Sequence, residues 1–412
     1  MTKAVIIGAG IVGLCTALRL AERHIDVTVV DNPPPMGAAS WGNIGHIATE
    51  QCAPLASWSN ILSMPRRLFS VGGPVGLPLS AIGAWLPFGL RMMKLSRADK
   101  HQAGLRALTR LLHDALPSWK RLDALWPLQS ILREDGHFVI WESAKTATAG
   151  RNAWAAAPLG IARFRDATNT ELNTLSKIAP KSNLHAIRFE NTGKITDLQT
   201  LRLNLIAKIS SLNGSFLNRA VQKLNIGSRR VEVVLNNRQI ISPDLVVVCA
   251  GVRSAELLAP LGHVVPLISE RGYHVESTAP QITSDSLPMV FEDRSVVINC
   301  FQHGLRIAGF VEFANLATPP DQRKWQRLEQ HLDQLGIQHT GTPRRWMGAR
   351  PTLPDYLPAI GRSTKADNLF YAFGHQHLGL TLAPLTAALV TKLALEEPMD
   401  ETLMPFSVDR FQ

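Results

Sequence analysis

Cysteine is scarce: Cys15, Cys52, Cys249 and Cys300 are the four in 412 residues, and no two stand in a CxxC spacing. That excludes a disulfide framework and a cysteine zinc site, and reduced thiols in a cytoplasmic chain are expected. Uninterrupted apolar runs long enough to span a bilayer are also missing, so any membrane contact is expected to be peripheral. Lys3 stands before an apolar stretch, but Gly8, Gly10 and Gly13 interrupt it, which reads as folded structure rather than a signal peptide. Acidic residues are fewer than basic ones, 33 against 43, for a net charge of +10. That balance suits anionic lipid, nucleic acid, an anionic ligand or solubility, and does not choose among them. The cations are dispersed or mixed with apolar residues and line no groove with stacking aromatics, so no nucleic-acid partner is expected. Internal repeats and low-complexity tracts are lacking, and 45% hydrophobic residues are enough for the cores of two domains.

What is present begins at once. The stretch KAVIIGAGIVGLCTALRLAERHIDVTVVD holds a β-branched run, a glycine turn, a helical pattern through Leu14, Ala17, Leu18 and Ala21, and a second run, Val27 to Val30, that ends in Asp31. This is a βαβ unit. Gly8 allows the tight turn, Gly10 a close backbone approach to a pyrophosphate, and Gly13 close helix–strand packing, while the helix start offers free N–H groups and a positive dipole. Asp31 stands where a carboxylate bonds a ribose hydroxyl, and with no arginine after it NADP is disfavoured.

GAASWGNIGHIATEQCAPLA follows, where an NAD domain would run to a third parallel strand; a long glycine-rich stretch suggests backbone laid against a second flat ligand instead. Later, SPDLVVVCAGVRSAELLAPLG reads as a buried strand and a helix, the closing strand of the same sheet after an excursion. These segments, with MGARPTLPDYLPAIG and FGHQHLGLTLAP, resemble in this order the D-amino-acid dehydrogenase branch of the FAD-dependent D-amino-acid oxidase superfamily. ERGYHVE is similar to members of that branch acting on D-amino acids and D-hydroxyproline.

The resemblance implies an α/β fold in which a Rossmann-like FAD-binding domain (1–54, 194–264 and 346–412) is interleaved with an α+β substrate domain (55–193 and 265–345) with a mainly antiparallel sheet. By it, Gly8, Gly10, Ile11, Val12, Gly13 and Asp31 hold the ADP half of FAD, Ser40, Asn43 and Gly45 run along the flavin, and Val221 meets the adenine through its backbone. Ala250 and Gly251 pass close to the pyrophosphate. Gly374, Gly379, Leu380 and Thr381 make a flavin wall, where the start of a buried helix stabilises negative charge. Some sarcosine-oxidising relatives tether flavin to a cysteine near the ARP segment; this chain has none after Cys300, so FAD is expected to be non-covalent.

Oxidising an amino acid by flavin requires Cα–H directed at flavin N5, a neutral amine, and a charge that anchors the carboxylate. Arg350 matches the family's carboxylate-binding arginine, and a guanidinium grips both oxygens. Tyr273 is a second expected substrate ligand through its hydroxyl. His377 is expected to face substrate where glycine oxidases place an arginine, which leaves room for a larger or cyclic substrate. His375 reads as structural, and His46 either reaches the flavin or is a satisfied loop histidine. At spacing i, i+2 the two late histidines point to opposite sides of an extended segment, so no metal is expected.

Segments 136–143, 270–278 and 288–313 show strand patterns with turns at Asp293-Arg294 and His303-Gly304, and 321–336 is an amphipathic helix with Trp325, Leu328, Leu332 and Leu335 on one face. Residues 63–97 mix Trp85, Leu86 and Phe88 with Arg66, Arg67, Arg91, Lys94 and Arg97. This stretch either inserts shallowly into an anionic membrane at the inner face of the cytoplasmic membrane, as access to a respiratory quinone would need, or packs inward. The expected activity is oxidative deamination of a D-amino acid to the imine and 2-oxo acid, electrons passing to a quinone. The alternatives are cis-4-hydroxy-D-proline oxidation, an oxygen-using glycine or sarcosine type of oxidase, and a non-catalytic flavin subunit.

Overall fold

A computed structural model describes residues 2–32, 37–127, 130–227, 230–280, 282–399 and 403–412, and strand counts here are those of the described residues. In chain order, the elements that build the site begin with β1 (Lys3–Ile7), α1 (Ile11–Ala21), β2 (Asp26–Asp31), α2 (Trp58–Arg67), α3 (Ile82–Leu95), α4 (Ala98–His113) and α5 (Ala115–Asp123). They continue with β3 (Ser215–Asn218), β4 (Leu245–Val248), β5 (Ile268–Thr278), β6 (Gly304–Ala314), α6 (Gln322–Leu335), β7 (Thr340–Thr352), β8 (Ala359–Arg362), β9 (Leu369–Phe373) and α7 (Gly379–Ala394).

The first sheet has six strands in the order β3-β2-β1-β4-β9-β8, all parallel except the β8–β9 hairpin. Runs such as Leu245-Val246-Val247-Val248 are apolar throughout because this sheet is covered on both faces. The β4 strand is interior rather than closing: β9 pairs beyond it and β8 forms the edge. A three-stranded antiparallel ribbon starting at Val221 lies against the same unit.

The second sheet has nine strands and is mainly antiparallel. The two expected turns join Met289–Phe291 to Val296–Phe301 and that strand to β6. One side is covered by α6, whose Trp325, Leu328, Leu332 and Leu335 are buried against Tyr273, Val275 and Ile307.

Two expected boundaries are corrected. Residues 346–352 are expected in the FAD unit, but β7 runs unbroken from Thr340 to Thr352 and pairs along its length with β5. Residues 98–123 are expected in the substrate unit, but Leu108, Leu111, Leu112, Leu116 and Trp119 of α4 and α5 share one core with α1 and α7.

Pro384 in the sequence would by itself confine regular helix to later residues, but α7 is not so confined. It starts at Gly379 and continues through Pro384. Proline has no N–H, so the Leu380 carbonyl four residues back lacks its helical donor. The Trp119 indole of α5 supplies one, with Nε1 3.0 Å from the Leu380 oxygen and 3.1 Å from that of Thr381. With the turn before it, Gln376–Ala394 is long and apolar enough to cross a membrane, contrary to the sequence expectation. Most of it is nonetheless buried against α1 and α5, as a core helix.

Of the two expectations for segment 63–97, inward packing is seen along one face of its second helix. Helix α3 turns Phe88 and Met92 inward onto Ile268, Phe313 and Tyr356. Its opposite face leaves Ile82, Leu86, Leu90 and Met93, at i, i+4, i+8 and i+11, between 40% and 59% exposed.

Candidate active site

The cofactor cradle lies at the C-terminal ends of β1, β2 and β4. Gly8 adopts φ +110°, and a Cβ there would stand 2.4 Å from the Cys249 carbonyl; a Cβ on Gly13 would stand 1.9 Å from the Gly8 carbonyl. Only glycine lets α1 start this close to the strand. Helix α1 has Gly10 at its N-cap and no side-chain cap bond from it. Ser40 Oγ accepts from the Ile11 N–H at 3.1 Å, so that donor is occupied, while Val12 and Gly13 follow it in the first turn. Asp31 at the end of β2 accepts from the Ala9 N–H at 3.0 Å, which holds its carboxylate beside the glycine turn. Gly251, at φ +57°, has open space where a side chain would be.

The loop over this cradle is pinned from several sides. Asn43 Oδ1 accepts from the Gly45 N–H at 2.7 Å, Arg306 of β6 donates to the Asn43 carbonyl, and Asn299 donates to the Ile44 carbonyl at 2.7 Å. His274 of β5 bonds the Gly42 carbonyl at 3.0 Å through Nδ1 and stacks on Trp346 of β7 with ring centres 4.7 Å apart. From the other side, Thr381 Oγ1 accepts from the Ala48 N–H at 3.0 Å. Thr381 thus ties the loop to α7, whereas the Leu380 carbonyl is spent on Trp119 in the core. Gly379 opens α7 without a side-chain cap, leaving helix-start N–H groups unspent. Gly374, at φ +76°, turns toward Leu353, and a Cβ there would stand 2.5 Å from Leu353 Cδ1, so its role is to pack the turn. Val221 starts its ribbon half-buried, three residues past Asn218, which pairs with Asp31.

Along β5, alternate side chains face opposite ways. Glu270, Gly272 and His274 face the cradle, and Arg350 of β7 lies across Gly272, where a Cβ would stand 2.8 Å from its Cζ. The Arg350 side chain is 29% exposed and donates to Glu270 Oε1 at 3.2 Å. Arg271 and Tyr273 point the other way. Tyr273 is corrected as a substrate ligand: it is 1% exposed, its hydroxyl donates to Glu312 at 3.0 Å, and it accepts from the Asp321 N–H at 3.1 Å. Burial pushes its phenol up to about 12.

His377 stands in a short turn before α7, and burial pushes its imidazole down to about 4, Glu270 opposing and Arg350 adding to the shift. His375 is buried and bonds Thr386 Oγ1 at 3.0 Å, a structural role. His46 bonds Glu50 Oε1 at 3.1 Å and meets the His137 ring edge-on at 4.4 Å. These three offer ligand atoms within 4.8 Å of one another, a grouping the sequence did not reveal because His137 comes from a distant strand.

The sequence reading also missed Glu270, Thr352 and Tyr356. Thr352 Oγ1 donates to Glu270 Oε2 at 3.0 Å and the Tyr356 hydroxyl approaches the same oxygen at 3.4 Å. Tyr356 has φ +57° and Gln376, which donates through Nε2 to the Tyr356 carbonyl, has φ +44°. Left-handed backbone at such residues costs on the order of 1–3 kcal/mol each and gathers at functional sites.

The cradle therefore fits a dinucleotide with its pyrophosphate at the α1 start, and the part-exposed Arg350 stands on the β5–β7 face that also carries His274, which bonds the loop over the cradle. The family model described as FAD dependent oxidoreductase matches residues 3–393, and the chain belongs to that family. It is an FAD-dependent oxidoreductase. Two curated relatives match over nearly their whole length: the D-amino-acid oxidase of Bradyrhizobium diazoefficiens, 29% identical with 98% of each chain covered, and D-amino acid dehydrogenase 2 of Ralstonia nicotianae, 27% identical with 98% of this chain and 99% of the relative covered. Among solved structures, iminodiacetate oxidase from Chelativorans sp. BNC1 superposes with TM-score 0.71 at 19% identity, 98% of each chain covered. Glycine oxidase from Geobacillus kaustophilus superposes with TM-score 0.71 at 17% identity, over 100% of this chain and 99% of that one. Both share the fold.

Proposed function

We propose that this chain oxidises a D-amino acid at the Cα–N bond, giving an imine that hydrolyses to the 2-oxo acid, and passes the electrons to a quinone-type acceptor. The observation that carries the reading is Arg350, part exposed, lying over Gly272 and electrostatically coupled to His377, which suits it to anchor a carboxylate. Handedness is supported by the relatives named for D-amino acids. When bound, FAD supplies a two-electron acceptor. Arg350 binds and orients the carboxylate. Burial pushes His377 down to about 4, so its imidazole is neutral at pH 7 with one ring nitrogen free to accept, and the ammonium sheds its proton to water or to His377 before reaction. The four cysteines are buried and none lies beyond Cys300, which supports non-covalent FAD.

The test is to purify the protein, record the flavin spectrum, and mix it anaerobically with D- and L-amino acids including cis-4-hydroxy-D-proline. Bleaching by the D set alone is expected; a bound flavin that no amino acid bleaches would sink the reading. Ammonia yield separates straight-chain substrates from the cyclic one, and peroxide formation in air would favour an oxidase.

The outer face of α3 supports peripheral contact with an anionic membrane on the cytoplasmic side, where a quinone is met. No acidic residue lies between Glu50 and Asp99, while Arg66, Arg67, Arg91, Lys94 and Arg97 flank the exposed apolar stripe. The double variant Leu86→Glu, Leu90→Glu should lose co-sedimentation with vesicles containing phosphatidylglycerol and keep its flavin reduction by substrate in solution. Equal sedimentation of variant and wild type would refute the docking face.

A further inference from the structure

This inference rests on the amino-acid reading above and concerns the other half of the substrate's head. Glu270 is 4% exposed and sits across the strand pair from Arg350, which donates to it. A carboxylate has about four acceptor positions. Two on Oε2 take Thr352 and Tyr356, and one on Oε1 takes Arg350. The position left over is on Oε1, beside the guanidinium. Arg350 Nη1 and that oxygen are 3.2 Å apart. In an α-amino acid the nitrogen and the carboxylate carbon hang from one Cα, about 2.5 Å apart. The pair of protein groups thus matches the pair of substrate groups in charge and order, and the two separations lie within about 1 Å of each other.

Tyr356 is built for this arrangement. An aromatic side chain at φ +57° is rare, and two bonds hold it: its N–H to the Leu353 carbonyl at 2.9 Å, and its carbonyl to Gln376. Its ring packs on Phe88 and Met92 of α3, which aims the hydroxyl at Glu270. Glycine at 356 would relieve the backbone, and Glu270 would then lose one of its partners. We propose that Glu270, steadied by Thr352 and Tyr356, is a substrate-binding residue that accepts a hydrogen bond from the substrate amine, so that Arg350 and Glu270 together read the amine and carboxylate of one α-amino acid.

Two near-isosteric probes that lack a Cα–H test this on the FAD-loaded protein: 2-aminoisobutyrate, with amine and carboxylate, and pivalate, with the carboxylate alone. Affinities come from perturbation of the flavin spectrum. The wild type should prefer 2-aminoisobutyrate. Glu270→Gln should cut that preference about tenfold, the scale of a hydrogen bond to a charged group, and leave pivalate affinity within about threefold, with Arg350 still able to bond the amide oxygen. Tyr356→Phe should cut the preference a few-fold, on the scale of a neutral hydrogen bond; it carries the test if Glu270→Gln fails to hold FAD. An unchanged preference, or equal weakening of both probes, overturns the inference and leaves the amino-acid reading intact. A wild-type flavin that responds to neither probe while no amino acid bleaches it overturns both.

Discussion

Replacing Gly272 by alanine should disable the enzyme without unfolding it. The position lies in β5 outside the left-handed region, so alanine suits the backbone and gains roughly 0.5–1 kcal/mol of strand preference over glycine. The new Cβ would stand 2.7 Å from Arg350 Nη2, 2.8 Å from Cζ and 3.2 Å from Nη1. Ordinary contact is about 3.5 Å, so the guanidinium must lift by roughly 0.7 Å. It is the far end of a flexible side chain, which makes the lift cheap in stability. It is costly in function, because the bond to Glu270 already spans 3.2 Å and lengthens further, and the fork no longer meets the carboxylate squarely. Misplacement by about 1 Å costs about 100-fold in rate, so kcat/KM should fall roughly 30–100-fold, with FAD content unchanged and Tm within a few degrees. Anaerobic stopped-flow reduction across substrate concentrations reads this out, with Gly89→Ala, which meets nothing within 4 Å, as the neutral control. A Gly272→Ala enzyme within threefold of wild type would refute the anchor, and loss of FAD would refute the claim that the clash is confined to one side chain.

Trp119→Phe should destabilise the protein by about 1–3 kcal/mol in urea titration, since the buried carbonyls of Leu380 and Thr381 lose their shared donor; an unchanged midpoint would mean another group satisfies them. Gly13→Ala puts a Cβ 1.9 Å from backbone that cannot yield, and the purified protein should show no flavin absorbance. For pH, burial pushes His377 and His274 down to about 4 and His375 and His137 to about 3, all below the ordinary value near 6.5. The unfolded chain therefore binds more protons than the folded one below pH 6.5, so stability is full above that pH and declines as pH falls toward 4. Urea midpoints at pH 7.5, 6 and 5 should drop in that order, and a flat series would contradict neutral burial of these rings.

The cradle was legible because each of its steps is local in sequence. Strand, glycine turn, helix and acid follow one another within about thirty residues, and the backbone geometry of Gly8 and Gly13 leaves no other residue acceptable. The domain boundaries were less legible, because β7 and the α4–α5 pair are assigned by what they pair with or pack on, and those partners are distant. Pro384 misled for the same reason. The rule that proline ends a helix assumes the freed carbonyl finds no donor, and the donor here is an indole 265 positions earlier in the chain.

The site was half legible, and the missing half turns on the parity of a single strand. The motif ERGYH places a glutamate and a tyrosine three residues apart, an odd spacing, so in a strand they face opposite sides of the sheet and only one can reach the pocket. Choosing between them requires the register against β7, where Arg350 pairs with Glu270. Once Arg350 is accepted as the anchor, its cross-strand neighbour and the glycine two residues on must share its face, and Tyr273 is committed to the core under α6. The pocket does have a tyrosine, but it comes from PDYLP, at a left-handed position where an aromatic residue is not expected. The residue that violates local preference is thus the one that completes the hydrogen bonding of Glu270, the group on the same face as the anchor. A departure from propensity of that kind persists when surrounding bonds hold it, and here Leu353, Gln376 and the α3 packing all do.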